Sequence, residues 1–355
     1  MHRPPLTVLC AAVSALLPAL TFAQSSVTLY GLIDVGVRYQ RNKDASLTTV
    51  GDGAFTGSRW GIRGTEDLGG GLKTIFSLES GFDLSTGVLQ QANASPTDGS
   101  AAAPAGRAFG REAYVGLESS QLGQVTLGRQ YTLAHALSNR FQPLPNPNLG
   151  AVNMFSGHQV TRQDNMVRYT KNFGSVGLHA AYTFSEGNGR GRALGVSYSA
   201  APLELVAFYQ EVNNAAGTST RRLSGAGGSY AIGQSAKLFL GYMKRDDKGA
   251  STQENDIVNL GFNYTVPSMP SMPSMPSMPS MPLVLTVSYG QDRQTQVNPG
   301  TKKTAYVAAS YLLSKRTDIY AELDHNRLSG KYPQPSFMTT RSATVGTTIG
   351  LRHRF

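Results

Sequence analysis

The chain reads as an all-β protein, a 16-stranded antiparallel transmembrane β-barrel, and three observations carry that reading. Runs of alternating apolar and polar residues recur along almost its whole length. Side chains alternate across a strand, so each run has one apolar and one polar face. The polar faces are small or charged, as a water-filled lumen requires, while the apolar faces suit lipid. No apolar stretch of residues 24–355 is long enough to span a bilayer as a helix.

The hairpin Ser58 to Phe82, SRWGIRGTEDLGGGLKTIFSLESGF, shows the pattern most clearly. Arg59, Gly61 and Arg63 share one face, with Trp60 and Ile62 on the other. After the turn at Asp67 to Gly71, Leu72, Thr74, Phe76 and Leu78 oppose Lys73, Ser77 and Glu79.

Ahead of the first strand, residues 1–23 carry His2 and Arg3, then an apolar run from Leu6 to Leu20, then Thr21-Phe22-Ala23. A charged start, a short apolar core and small residues at the cut describe a secretory signal peptide. Cys10 lies too early, and before too apolar a run, for a lipoprotein signal. Cleavage would remove the only cysteine, so residues 24–355 form one exported domain without disulfides. The chain carries 39 glycines and 16 tyrosines, which favours many short strands over helices. A formal charge of +10 admits nucleic acid, an anionic surface or anionic solutes as partners. Export, and the lack of any Lys/Arg-rich recognition block, exclude nucleic acid.

Strands are expected at Val27–Tyr39, in the two arms of the hairpin, at Phe109–Glu118 and at Val125–Gln130. Further strands are expected at Met166–Asn172, Val176–Phe184, Ala193–Ser199, Leu203–Val212, Arg222–Ala231 and Ala236–Lys244. The set is completed by Ile257–Val266, Leu283–Gln291, Lys303–Leu312, Arg316–Asn326 and Arg341–Phe355. Long polar connections alternate with short turns, and the segments 41–57, 84–108 and 131–164 read as loops, the last being the longest. Five tandem Pro-Ser-Met copies, within 267–282, cannot be strand because proline removes ladder donors. Counting connections from a periplasmic N-terminus puts them in a periplasmic turn.

Several of these stretches, in order, resemble the trimeric general porins of β-proteobacterial outer membranes. The stretches are SSVTLYGLIDVGV at Ser25, the hairpin itself, FGREAYVGL at Phe109, VTLGRQYT at Val125, QDNMVRYT at Gln163 and GLRHRF at Gly350. The resemblance implies a homotrimer of barrels in the Gram-negative outer membrane, each with an inward-folded third extracellular loop. It also implies lipopolysaccharide and outer-membrane lipid as surroundings, and recognition of the terminal Phe355 by the barrel assembly machinery. The Pro-Ser-Met insertion departs from the family, which has a short turn there.

Catalytic and metal chemistry find no support. The histidines are scattered and no metal-ligand spacing occurs, so no cofactor is expected. A barrel-borne hydrolase or an adhesin is the alternative, since triad partners need not be close in sequence. A channel needs only fixed charges in its lumen. Alternation places Arg59, Arg63 and Arg168 on polar faces and Glu79 on the polar face of its strand. By resemblance, Arg59, Arg111 and Arg168 match basic constriction positions and Glu79 the acidic side. Strict alternation sets Arg111 and Arg129 on apolar faces, so Arg111 lines the pore only if its strand begins later or bulges. Loop 131–164 carries Arg140, Arg162, His135 and His158 but no carboxylate before Asp164. An arginine wall without opposing carboxylates favours small anionic solutes.

Overall fold

The structure, a computed structural model, describes residues 25–42, 45–91, 106–155, 157–185, 189–250, 252–266, 282–338 and 343–355. The signal segment and the Pro-Ser-Met copies lie outside the described residues, as does most of 84–108. The strands are β1 (Ser26–Arg41), β2 (Ser46–Asp52), β3 (Arg59–Gly69), β4 (Leu72–Phe82), β5 (Leu89–Gln90), β6 (Glu112–Ser119) and β7 (Gly123–Tyr131). They continue as β8 (Arg162–Phe173), β9 (Val176–Thr183), β10 (Gly191–Ala200), β11 (Leu203–Asn213), β12 (Ser219–Ile232) and β13 (Ala236–Gly249). The remainder are β14 (Glu254–Val266), β15 (Leu283–Gln294), β16 (Gly300–Leu312), β17 (Thr317–Gly330) and β18 (Thr344–Arg354).

Every ladder is antiparallel between sequence neighbours, and β1 closes the sheet on β18 from Leu32↔Arg354 to Arg41↔Val345. The terminal residue extends that seam, since the Phe355 amide and carbonyl both bond Gly31 at 3.0 Å. Two of the stretches do not count as separate staves. β2 pairs with the far half of β1 and β3 with its near half, so the two are one stave interrupted at residues 53–58. β5 adds only two register pairs to β4. The barrel therefore has 16 strands and no free edge.

Exposure separates the two faces. Val37, Leu240, Leu260, Val287 and Ile349 are exposed although apolar, while their inward neighbours are buried. Tyr39, Tyr169, Tyr182, Tyr209, Tyr242 and Tyr289 join that outward face, as interfacial aromatic rings do in membrane barrels.

The boundaries differ from the sequence expectation for identifiable reasons. Ser46–Asp52, read as loop, is strand: its apolar Leu47 and Val50 fall on opposite parities, so it has no period-two signature. β13 runs five residues past Lys244 because its outward residues there, Lys244, Asp246 and Lys248, lie beyond the apolar belt. The ladder persists where the alternation of hydrophobicity has ended. The strand expected from Phe109 begins at Glu112, because the Gly110 carbonyl accepts from the Arg129 guanidinium (2.7 Å) instead of entering a ladder.

The longest connection, residues 132–161, lies against the inward face of the wall. It starts with a short helix, α1 (Leu133–Ser138), capped by Thr132, whose hydroxyl accepts from the His135 amide at 3.4 Å. A single 3₁₀ turn, Asn139–Phe141, follows. Leu133, Leu137, Phe141, Met154 and Phe155 are fully or almost fully buried against Val206, Phe208, Leu223, Met243 and Ile257. Five wall glycines, Gly195, Gly227, Gly241, Gly261 and Gly290, make room for this contact. A β-carbon on any of them would overlap Leu137, Phe141, Pro143 or Met154. Polar bonds add to the seat: Asn263 donates to the Pro143 carbonyl, and Asn326 to that of Ala151, each at 3.0 Å. Further along, the Leu149 amide reaches the Ala54 carbonyl at 3.0 Å, carrying the loop to the opposite side of the barrel.

One carboxylate anchors the far end of the loop. Asp292 of β15 is fully buried and receives His158 Nε2 at 2.8 Å, Asn255 Nδ2 at 2.8 Å and the Tyr332 hydroxyl. Arg221 donates to the His158 carbonyl at 3.3 Å. Asp292→Asn keeps the shape but removes the charge, so it should cost the anchor about 1–2 kcal/mol. The expected result in planar bilayers is a noisier open current with unchanged ion selectivity. A current as quiet as that of the parent would show that Asp292 does not hold the loop.

Candidate functional site

The interior narrows around a cavity of about 820 Å³ between the loop and wall residues of β1, β3, β8, β14, β15, β16 and β18. On the wall side, Tyr30, Arg59 and Glu79 stand on inward positions of three consecutive staves, β1, β3 and β4, and Arg168 on an inward position of β8. Arg111 reaches the same place because it precedes β6 and is not bound by that strand's alternation. Its amide bonds the Glu79 carbonyl (3.1 Å), and its Nε donates to Glu79 Oε1 at 2.5 Å. Glu79 Oε2 accepts from the Tyr30 hydroxyl at 2.9 Å, and Arg59 Nη1 lies 3.9 Å from Oε1. Glu79 is thus enclosed among the arginines and does not stand across from them.

Tyr131 links the arginines to the loop. Its hydroxyl accepts from Arg111 Nη2 at 2.6 Å and from Arg162 Nη2 at 2.8 Å. The Arg162 guanidinium lies over its ring, 4.4 Å from the centroid. His135 stacks on Tyr131 at 4.7 Å with the planes 7° apart. Burial, with Arg162, Arg111 and Arg59 close by, holds its imidazole well below its ordinary pKa. His135 is therefore neutral at pH 7 and the site's positive charge belongs to arginine.

Arg59, Arg111, Arg162, Arg168, Arg352 and Arg354 line the cavity, and no aspartate or glutamate is among its described lining residues. Asp318 partners Arg352 (2.9 Å) and Arg354 (3.1 Å) from behind. Arg162 and Arg168 have no ion pair among the described residues. The loop side is uncharged, with the amides of Asn139, Asn146, Asn148 and Asn153 and the rings of Pro143, Pro145 and Pro147. Guanidinium groups facing neutral amides in a narrow aqueous passage favour anions over cations.

Arg59, Arg111 and Arg168 thus meet at the cavity, with Glu79 behind them. Arg63 faces inward as expected but is exposed, with its guanidinium 5.0 Å from the Tyr30 ring centroid, and it does not line the cavity. Phe355 lies at the barrel seam, remote in role from the cavity, with its ring covering Gly31. Arg129 sits at the bulge between Gly128 and Gln130 and bonds Asp164 at 2.6 Å, outside the lining. Arg162, read as a loop charge, is the first residue of β8. Arg352 and Arg354 alternate with Leu351 and Phe355 in the last strand and so fall on its polar face, but nothing in the sequence brings that strand beside Arg59.

A family model described as Gram-negative porin matches residues 6–271. An outer membrane porin protein of Bordetella pertussis is 28% identical over 404 residues, covering 98% of this chain and 99% of that one. Outer membrane porin protein 32 of Delftia acidovorans is 28% identical, covering 94% and 95%. Among solved structures, the anion-selective porin from Comamonas acidovorans superposes with a TM-score of 0.73 at 25% identity, covering 94% of this chain and all of that one. The trimer form of OmpT from Vibrio cholerae shares the fold, with a TM-score of 0.68 at 15% identity over 93% of this chain and 99% of that one. By family match, full-length relatives and a closed 16-strand barrel, this chain belongs to the Gram-negative porins of the outer membrane.

Proposed function

We propose that the arginine-lined cavity is the constriction of an anion-preferring channel, through which small hydrophilic solutes diffuse passively across the outer membrane. One observation carries this reading: six arginines and no carboxylate line the narrow passage. The solved Comamonas porin, which is described as anion-selective, adds support. Arg59, Arg111 and Arg168 set the field, with Arg162, Arg352 and Arg354 reinforcing it. Glu79 serves to fix Arg111, and Arg63 acts as a vestibule charge. Residues 1–23 direct export, and Phe355 offers the assembly machinery its terminal aromatic. The working unit is a homotrimer surrounded by lipopolysaccharide and lipid, with the Pro-Ser-Met repeat in a periplasmic turn.

Reversal potentials across planar bilayers under a salt gradient test the selectivity. A unit charge about 6 Å from an ion in water is worth about 0.7 kcal/mol, or roughly threefold in relative occupancy. Arg59→Ala and Arg168→Ala should each lower the anion-to-cation permeability ratio by about that factor in dilute salt, and by less where screening is strong. Channels that open normally with unchanged reversal potentials would remove these two arginines from the constriction. A parent channel that prefers cations would overturn the reading itself.

A further inference from the structure

Two inward positions break the rule that makes this lumen polar. Val284 of β15 shares parity with the buried Thr286, and Leu312 of β16 with the buried Ala308, so both turn toward the passage. Both line the cavity of about 820 Å³. Val284 pairs with Ser310, which makes Leu312 its diagonal neighbour on the same face, about 7–8 Å away. From the loop, Leu144 and Pro145 face the same cavity. The four are not sealed away: Leu144, Val284 and Leu312 are half-buried and Pro145 is exposed. Leu144 also packs on Phe55, whose ring lies beside Arg352.

The apolar strip ends at arginine. Leu312, Asp318 and Arg352 form one row in register across β16, β17 and β18. Neighbouring strands lie about 4.8 Å apart, so Leu312 and Arg352 stand about 10 Å from each other along the wall. Arg352 is engaged by Asp318 (2.9 Å) and Thr56 (3.1 Å). Arg354, on the same face of β18, is less committed. Among the described residues its guanidinium gives only Nη1 to Asp318, at 3.1 Å, and its side chain is 42% exposed. It thus keeps N–H groups for a solute.

We infer that the passage favours carboxylates bearing an apolar ring over compact anions of equal charge. The carboxylate pairs with the Arg354 guanidinium through charge-assisted hydrogen bonds, while the ring lies on Leu312, Val284 and Pro145. The inference rests on the anion-channel reading of this cavity and adds the class of solute. Small-molecule sites combine apolar lining with a few placed polar groups in volumes of about 300–1,000 Å³, and this cavity meets both conditions. Covering about 60 Å² of ring surface favours such a solute about tenfold over one without the ring. Chloride and acetate make only the arginine contact, and a neutral ring makes only the apolar one.

The test uses the full mature protein in planar bilayers, with benzoate, acetate and benzyl alcohol as probes of the chloride current. The readout is the probe concentration that halves that current. In the parent, benzoate should act at about one-tenth the concentration of acetate, and benzyl alcohol should leave the current unchanged. Val284→Thr/Leu312→Asn keeps both arginines and should bring benzoate to within about twofold of acetate. Should that variant not fold, Pro145→Ser makes the same comparison from the loop and should shift benzoate alone. Arg354→Gln should raise the half-blocking concentrations of benzoate and acetate together. Benzoate and acetate acting at equal concentrations in the parent would overturn the proposal, as would a ratio unchanged in the strip variants. A block by benzyl alcohol equal to that by benzoate would also overturn it, since the arginine would then have no part. Reversal potentials in a potassium chloride gradient are taken on the same channels. An anion preference without benzoate selectivity defeats only this inference, whereas a cation preference defeats the reading beneath it.

Discussion

Glu79→Gln is expected to weaken the barrel while making its channel more anion-selective. The carboxylate bonds Arg111 at 2.5 Å and the Tyr30 hydroxyl at 2.9 Å, and both Glu79 and Arg111 are buried. Removing one partner of such a pair leaves an uncompensated charge, at a cost of about 3–5 kcal/mol, toward the lower end beside a wet lumen. The heat-denaturation midpoint should fall by several degrees. Selectivity moves the other way, because a negative charge has left the wall of Arg59, Arg111 and Arg168. Opposite signs in the two measurements distinguish this from general damage. The double variant Glu79→Gln/Arg111→Gln should recover much of the lost stability, since no charge is then left unpaired. A midpoint unchanged by Glu79→Gln would mean that Arg111 finds its compensation elsewhere.

Phe141→Ala is expected to loosen the loop without opening the barrel. The ring is fully buried, rests on Gly227 and Gly241, and meets Phe155 edge-on at 5.3 Å and Phe208 at 6.5 Å. Truncating a buried phenylalanine costs about 3–5 kcal/mol, and most of that falls on docking of the loop because the strand ladders are untouched. Single-channel currents should become larger and noisier, with substates the parent lacks. The denaturation midpoint should move little, since the barrel's cooperativity lies in its ladders. Gly241→Leu tests the same contact from the wall side: its side chain would displace Phe141 and push the loop toward the arginines, so currents should become noisier and smaller. Steady parental currents in both variants would show that other anchors, Asp292 among them, suffice to hold the loop.

The sequence revealed the barrel wherever one face meets lipid and the other water. β17, with Ile319, Ala321 and Leu323 against Asp318, Glu322 and Asp324, is such a case. It was silent at Ser46–Asp52, where apolar residues fall on both parities, and at the outer ends of strands such as β13, where both faces are polar. The site was half legible. Arg59 and Arg168 follow from alternation alone. Arg111 needed the start of β6, which depends on where Gly110 directs its carbonyl. Arg352 and Arg354 needed the closure of β18 on β1, a contact between residues at opposite ends of the chain. The seat of the loop left no local trace, because Phe141 and Gly241 are brought together only by the barrel's curvature.

The glycines beneath the loop determine how much solute passes, although solute does not contact them through the loop that covers them. At Gly195, Gly227, Gly241, Gly261 and Gly290 the wall is thinned by a side chain, and the loop sinks into the space. Each added methyl there would push the loop toward the arginines and take its volume from the aqueous passage. Permeability in this barrel can therefore drift by mutation on five positions that leave charge, strand pairing and the outer surface unaltered. Selection for slower uptake, as under a toxic solute, has an inexpensive route through residues that a survey of the pore lining would overlook.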